Sequence, residues 1–261
     1  MPIVRAGDAD IYYDIQGEGD PLLLIMGFLS DSQMWMLQTP VFAPLYKVIT
    51  FDNRGVGRSS VPPGPYTMEQ MAADALAVMD AAGVDRAHVC GISMGSAIAQ
   101  HVAIKAPERV RSLTLAATWS RPNEWMTRLS QTGEILAGIS NEQFARSTLL
   151  WLFTPKFVLQ QPELLAAIEQ MMLGFETPPD TFVNQIAAVR DHDTRLALTG
   201  LTVPALVLGA RRDIMVPPEL AEETAQAIPG AEFKLLDGAH AFSAENVQEF
   251  NGAILEFLAK H

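Results

Sequence analysis

The chain has a single cysteine, Cys90. No intrachain disulfide is available to it, and its place inside an apolar run reads as that of a small core residue. No stretch of about 18 apolar residues occurs, which leaves no candidate membrane span. Lysine and arginine are outnumbered, 18 against 30 aspartates and glutamates, for a formal net charge of −12. With no long basic cluster, nothing would displace the counterions of a phosphate backbone, so a nucleic-acid partner is excluded. The opening MPIVRAGDADIYYDIQGEGD lacks the basic start and unbroken apolar stretch of a secretory signal, and a cytoplasmic location is the expectation. Internal repeats and low-complexity segments are also missing; PPGP at 62–65 is a loop.

What is present is apolar matter for one sizeable core, 49% of 261 residues against 18% charged, as in a folded globular protein. Residues 11–17 and 21–26 read as strands joined by GEGD, an antiparallel hairpin opening the chain. Short apolar runs at 47–51, 88–92, 112–117, 205–208 and 233–236 read as further strands. Helical periodicity at 68–82, 94–106, 218–227 and 247–259 alternates with them. Such alternation means a parallel sheet covered on both faces, an α/β fold. Between 121 and 195 the rhythm stops and helical patterns appear at 124–136, 141–153, 162–172 and 179–189. The reading is therefore an α/β core in two parts, 1–120 and 196–261, interrupted by an all-helical cap at 121–195.

Within the core, Gly91-Ile92-Ser93-Met94-Gly95 sits where a strand becomes a helix. A nucleophile raised above a sheet edge needs a strained backbone there, and neighbours two residues away without side chains, because strand and helix approach closely. The N–H groups at the start of the helix, that of Met94 first, face the same spot and suit a developing oxyanion. Chance would produce G-x-S-x-G about 0.1 times in a chain of this size, so the strand-to-helix context carries the weight. Pattern and context match the nucleophile elbow of α/β-hydrolases.

Serine needs a base. His88 lies in a strand before Ser93, His101 lies two turns along the following helix, and His261 is terminal. His192, in Asp191-His192-Asp193, reads as part of a surface turn. His240 follows the last strand, at the same carboxyl edge as Ser93, and is the expected base. Asp213, at the end of the preceding strand, is the expected acid; Asp237 competes but lies only three residues from His240 and suits its turn.

On these residues the chain resembles the α/β-hydrolase superfamily over nearly its whole length, and within it the bacterial carboxylesterases, 3-oxoadipate enol-lactonase-like proteins and cofactor-free perhydrolases. Residues 51–59, FDNRGVGRS, are similar to that superfamily's D-x-R-G-x-G-x-S loop, expected here to hold sheet-edge geometry. The resemblance implies a mostly parallel eight-stranded sheet flanked by helices. It also implies a second oxyanion donor just after an H-G pair, which here reads Met26-Gly27 and points to the backbone N–H of Phe28. Serine at position 93 disfavours dehalogenase and epoxide hydrolase chemistry, which need a carboxylate there.

The expected activity is hydrolysis of a small-molecule ester or lactone through an acyl-enzyme on Ser93, with no metal or cofactor. Perhydrolysis, carbon–carbon bond hydrolysis and a ligand receptor on the same fold stay open, as does a homodimer. The cap is rich in Trp125, Met126, Leu129, Phe144, Trp151, Phe153, Phe157, Met171, Met172 and Phe175, which suits an apolar pocket. Arg128 and Arg146 are the cap arginines that could clamp a carboxylate. Phe28, Trp125, Trp151, Met215 and Phe242 are the expected substrate contacts.

Overall fold

The computed structural model describes residues 2–174 and 179–261; Phe175, one of the expected pocket residues, lies outside them. Eight strands form one sheet: β1 (Ile3–Ala6), β2 (Ala9–Gln16), β3 (Asp20–Ile25), β4 (Tyr46–Phe51), β5 (Ala87–Ile92), β6 (Val110–Ala116), β7 (Ala205–Ala210) and β8 (Glu232–Leu236). Their spatial order is β1-β2-β4-β3-β5-β6-β7-β8. β3 to β8 run parallel, while β1–β2 and β2–β4 are antiparallel.

The opening hairpin is therefore not the one expected. β2 and β3 follow one another in the chain but do not pair: β2 lies on β4, with Tyr13 opposite Phe51, and β4 separates it from β3. The hairpin partner of β2 is β1, a short strand that sequence reading passed over because it has four residues and leaves Ile3 57% exposed.

The central strands are largely apolar because both faces are covered, and their period of two divides them between two cores. On β3, Leu23 and Ile25 enter one core while Leu22 and Leu24 enter the other. On β7, Val207 faces the first and Leu206 and Leu208 the second. The first core is closed by helices Met68–Ala81, Met94–Lys105 and Pro218–Ala227, and the second by helix Val247–Leu258. In that last helix Phe250, Ile254 and Phe257 recur at i, i+4 and i+7 and are buried; each contributes about 1.5–3 kcal/mol. Helix Met68–Ala81 begins at a reciprocal cap in which Gln70 N–H donates to Thr67 Oγ1 (3.1 Å) and Thr67 N–H to Gln70 Oε1 (3.0 Å).

Between β6 and β7 lie the cap helices Glu124–Ile139, Asn141–Leu152, Pro155–Gln160, Pro162–Leu173 and Pro179–Asp191. The six-residue helix at Pro155, started by Thr154 capping the Phe157 N–H, was not anticipated. It is too short to show a period. Among the described residues no helix is long and apolar enough to cross a membrane.

Candidate active site

β5 runs out of the sheet into Ser93, whose φ of 55° and ψ of −125° place a non-glycine residue in a sparsely populated region. The turn is held because Ser93 N–H donates to the Ala116 carbonyl on β6 (2.9 Å) and Ser96 Oγ donates to the Ser93 carbonyl (2.6 Å). Both flanking glycines are sterically required. A Cβ on Gly91 would collide with the Gly95 carbonyl, and one on Gly95 with the carbonyl of Ile25 at the end of β3. The two missing side chains thus make room for two backbone oxygens.

His240 follows β8 and Asp213 follows β7, so parallel pairing of those strands brings the two to the same edge. Ser93 Oγ lies 2.8 Å from His240 Nε2, and His240 Nδ1 lies 2.8 Å from Asp213 Oδ2. The Asp213 side chain is wholly buried and that of His240 is 7% exposed. Asp213 Oδ1 accepts N–H bonds from Met215 (2.8 Å) and Val216 (2.9 Å), which fixes the carboxylate's rotation. With the Nδ1 proton facing the carboxylate, the Nε2 lone pair faces the serine hydroxyl. Asp237 does not approach His240 in this way; its carboxylate pairs with Arg212 at 2.7 Å.

The Met94 N–H heads the helix behind Ser93, and the Phe28 N–H lies on the loop after Gly27. Among the described residues neither donates to another protein group. A Cβ on Gly27 would be crowded, at 3.2 Å from Ser93 Cβ and 3.3 Å from the Ile92 carbonyl.

The FDNRGVGRS segment is the buttress beneath this edge. Asp52 accepts from Ser32 N–H, Ser32 Oγ, Arg58 N–H and Arg58 Nε at 2.6–2.9 Å. Burial alone would push its pKa up, but hydrogen bonds from Arg58 and Ser32 outweigh it and hold the carboxyl below its ordinary value. Asn53 Nδ2 donates to the Met26 carbonyl (2.9 Å), just before Gly27. Arg54 and Asp74 form a buried two-pronged pair at 2.6 and 2.8 Å.

Over Ser93 opens a cavity of about 800 Å³. Phe28, Met94, Trp151 and Met215 line it, with Met126, Leu129, Phe144, Phe153 and Met172 from the cap. Two expected contacts are corrected. Phe242 is fully buried in the second core, edge-on to Phe250, because helix 242–245 turns its face away from the cavity. Trp125 is 51% exposed outside the cavity, its indole N–H given to the Ile214 carbonyl. Phe157 packs instead in a small cap core with Leu149, Phe153 and Ile168, and Met171 does not line the cavity. Phe182, Ile186 and Val189 line it unanticipated, although their i, i+4, i+7 spacing announces one helix face. Neither Arg128 nor Arg146 reaches the cavity; both are exposed and paired, with Glu124 and with Glu142 and Glu169.

His192 is also corrected. It is not on a surface turn but 3% exposed, between the Trp119 carbonyl (3.1 Å) and His101 Nε2 (3.2 Å). Burial first, and His101 second, push its pKa down to about 4. Both flanking aspartates of that triplet are exposed, and Asp193 is held in an ion pair by Arg195. Cys90 is fully buried, as read, and burial pushes its thiol up to about 12, where it is inert.

A profile of the alpha/beta hydrolase fold matches residues 20–247. Over 98% of both chains, 37% of 259 aligned residues are identical to those of RutD from Azorhizobium caulinodans, a protein named for carbamate hydrolysis. The enol-lactonase of Burkholderia xenovorans LB400 superposes with a TM-score of 0.89 at 28% identity, covering 99% of this chain and 100% of that one. A thermophilic esterase from Thermogutta terrifontis does so with a TM-score of 0.89 at 28% identity, covering 99% and 98%. A buttressed Ser93 elbow, an eight-stranded sheet in this order and a family match over most of its length make the chain a member of the α/β hydrolase fold family, and a hydrolase.

Proposed function

We propose that this hydrolase cleaves carboxylic esters or lactones with apolar acyl or alcohol parts, through an acyl-enzyme on Ser93. The observation that carries the reading is the unbroken hydrogen-bond line Ser93–His240–Asp213 at the floor of a mostly apolar cavity. His240 Nε2 takes the hydroxyl proton as Ser93 Oγ attacks the carbonyl carbon, and the carbonyl oxygen becomes an alkoxide held by the Phe28 and Met94 N–H groups. When the tetrahedral centre collapses, the bond to the leaving oxygen breaks and His240 returns the proton to it. Water then repeats the attack on the acyl carbon with His240 as base, which releases the acid and restores Ser93. Asp213 orients the imidazole and stabilises its charged form at each step.

The likeness to an enol-lactonase and an esterase supports this class. The name of the carbamate-hydrolysing relative favours a second reading, because a carbamate carbonyl admits the same attack. The cavity's volume and apolar walls favour the larger, hydrophobic substrates.

A series of chromogenic esters from acetate to octanoate, with an alkyl carbamate beside it, tests the proposal. Each buried methylene contributes about 0.8 kcal/mol, so kcat/KM is expected to climb several-fold per carbon until the cavity is full. Ser93→Ala is expected to stay folded, lose turnover and no longer take up a serine-directed phosphonate seen by intact mass. Ester hydrolysis by Ser93→Ala within tenfold of the parent would sink the acyl-enzyme, and a flat chain-length profile would sink the apolar specificity.

A further inference from the structure

Met26 stands where the resemblance places a histidine, so the loop carrying Phe28 lacks that polar side chain. Its support comes from the opposite wall. Leu29 adopts φ 53°, the left-handed region, and its N–H donates to Gln185 Oε1 at 2.9 Å. Gln185 lies on the cap helix Pro179–Asp191 and is fully buried. Its Nε2 donates to the Arg54 carbonyl at 3.0 Å. One turn earlier on that helix, the Phe182 ring meets the Phe28 ring edge-on with centroids 5.1 Å apart. Asn53 closes the circuit from the other side through the Met26 carbonyl.

The geometry points to Gln185 as a positioning residue of the oxyanion hole, a strut from the cap that sets where the Phe28 N–H stands. The inference rests on the proposed role of that N–H. An amide joining one N–H and one C=O has a single satisfied orientation. Buried, it cannot turn to water for a substitute partner, so it acts as a rigid spacer between the two loops beside Ser93. Without it the Leu29 N–H is orphaned and the left-handed residue is free to relax, carrying the Phe28 peptide with it. Gln185 itself does not line the cavity, and the apolar side chains that do keep their other contacts. Loss of the strut therefore weakens the hold on the tetrahedral alkoxide and leaves binding of the substrate's apolar part alone, a change in kcat without a matching change in KM.

Three variants test this. Removing one oxyanion donor outright lowers kcat by about 10²–10³-fold, and displacing one costs a part of that. Gln185→Met is expected to lower kcat by about 10- to 100-fold with KM within about threefold. Gln185→Glu, isosteric and kept protonated by burial, still accepts from Leu29 and donates to Arg54, and is expected to recover most of kcat; it also serves should the Met variant fail to fold. Thr181→Val removes a different bond from the same helix to the core, Thr181 Oγ1 to the Gly55 carbonyl at 2.9 Å, and is expected to leave kcat and KM nearly unchanged. A parent that cleaves no ester and takes up no phosphonate overturns the reading of the site and this inference together. With an active parent, Gln185→Met retaining kcat, or Thr181→Val losing as much, or Gln185→Glu showing no recovery, overturns the role of Gln185 alone.

Discussion

The Asp213 carboxylate meets His240 Nδ1 at 2.8 Å while Asp237, on the neighbouring strand end, is turned outward to Arg212. Two acids within reach in sequence are thus separated in space by which strand supplies them. Asp213→Asn is expected to reduce kcat for esters by several powers of ten, because an amide donating to Nδ1 imposes the wrong imidazole tautomer. Asp237→Asn, which breaks an exposed ion pair, is expected to stay within about twofold of the parent. Steady-state kinetics of the two variants decides, and the reverse ranking would mean that the other carboxylate is the acid.

Two glycines should respond to alanine with opposite signs. A Cβ at Gly95 runs into the Ile25 carbonyl, so Gly95→Ala must push strand from helix and is expected to destabilise by about 3 kcal/mol or more. Gly252, inside helix Val247–Leu258, has open space at that position, and Gly252→Ala is expected to stabilise by about 0.5–1 kcal/mol. Urea unfolding measures both; a Gly95→Ala protein of parental stability would show that the elbow tolerates a wider approach than drawn.

Trp151 and Trp125 both belong to the cap, but only Trp151 lines the cavity. Trp151→Ala is expected to lower kcat/KM for octanoate esters by tenfold or more and for acetate far less, whereas Trp125→Ala leaves the chain-length profile in place. Equal effects of the two on the profile would contradict this assignment.

The buried His192 bears on acid stability. Its folded pKa of about 4 lies below its ordinary 6.5, so between these values the unfolded chain holds a proton that the folded chain does not. Stability from this group is therefore full above pH 6.5 and lost as pH falls toward 4, by about 3 kcal/mol at the lower end. His101, Asp193 and Glu69, the titratable groups whose charges act on His192, stay in place in His192→Asn. That variant is expected to have a shallower fall in unfolding free energy between pH 6.5 and 4.5 than the parent; parallel curves would remove His192 from the account.

The legible parts of this protein are those whose signal is local. Ser93 between two glycines at a strand–helix junction, and His240 and Asp213 just past apolar runs, carry their positions in adjacent residues. Pairing is not local: nothing in residues 9–25 says that a strand from residue 46 onward will come between β2 and β3. Direction is equally hidden, and Phe242 and Trp125 were expected in the pocket by type and neighbourhood while their faces decided otherwise. His192 was misplaced because its two flanking aspartates suggest a turn; both do meet water, but the ring between them is buried. Gln185 has no motif at all. A lone glutamine in a helix becomes informative only once the two loops that it joins are in place.

The chain leaves for the cap at Ser120 and returns at Thr194, and the Thr194 N–H donates to the Ser120 carbonyl at 2.9 Å. Departure and return are therefore a single stitched point on the sheet's rim. A contiguous stretch of gene between them can be exchanged, lengthened or recombined without altering a strand, so substrate range can evolve by replacement of one cassette. The replacement is not free of conditions: on the role inferred for Gln185 it must present an acceptor to Leu29 and a donor to Arg54, or the imported walls will enclose a site whose chemistry has been slackened.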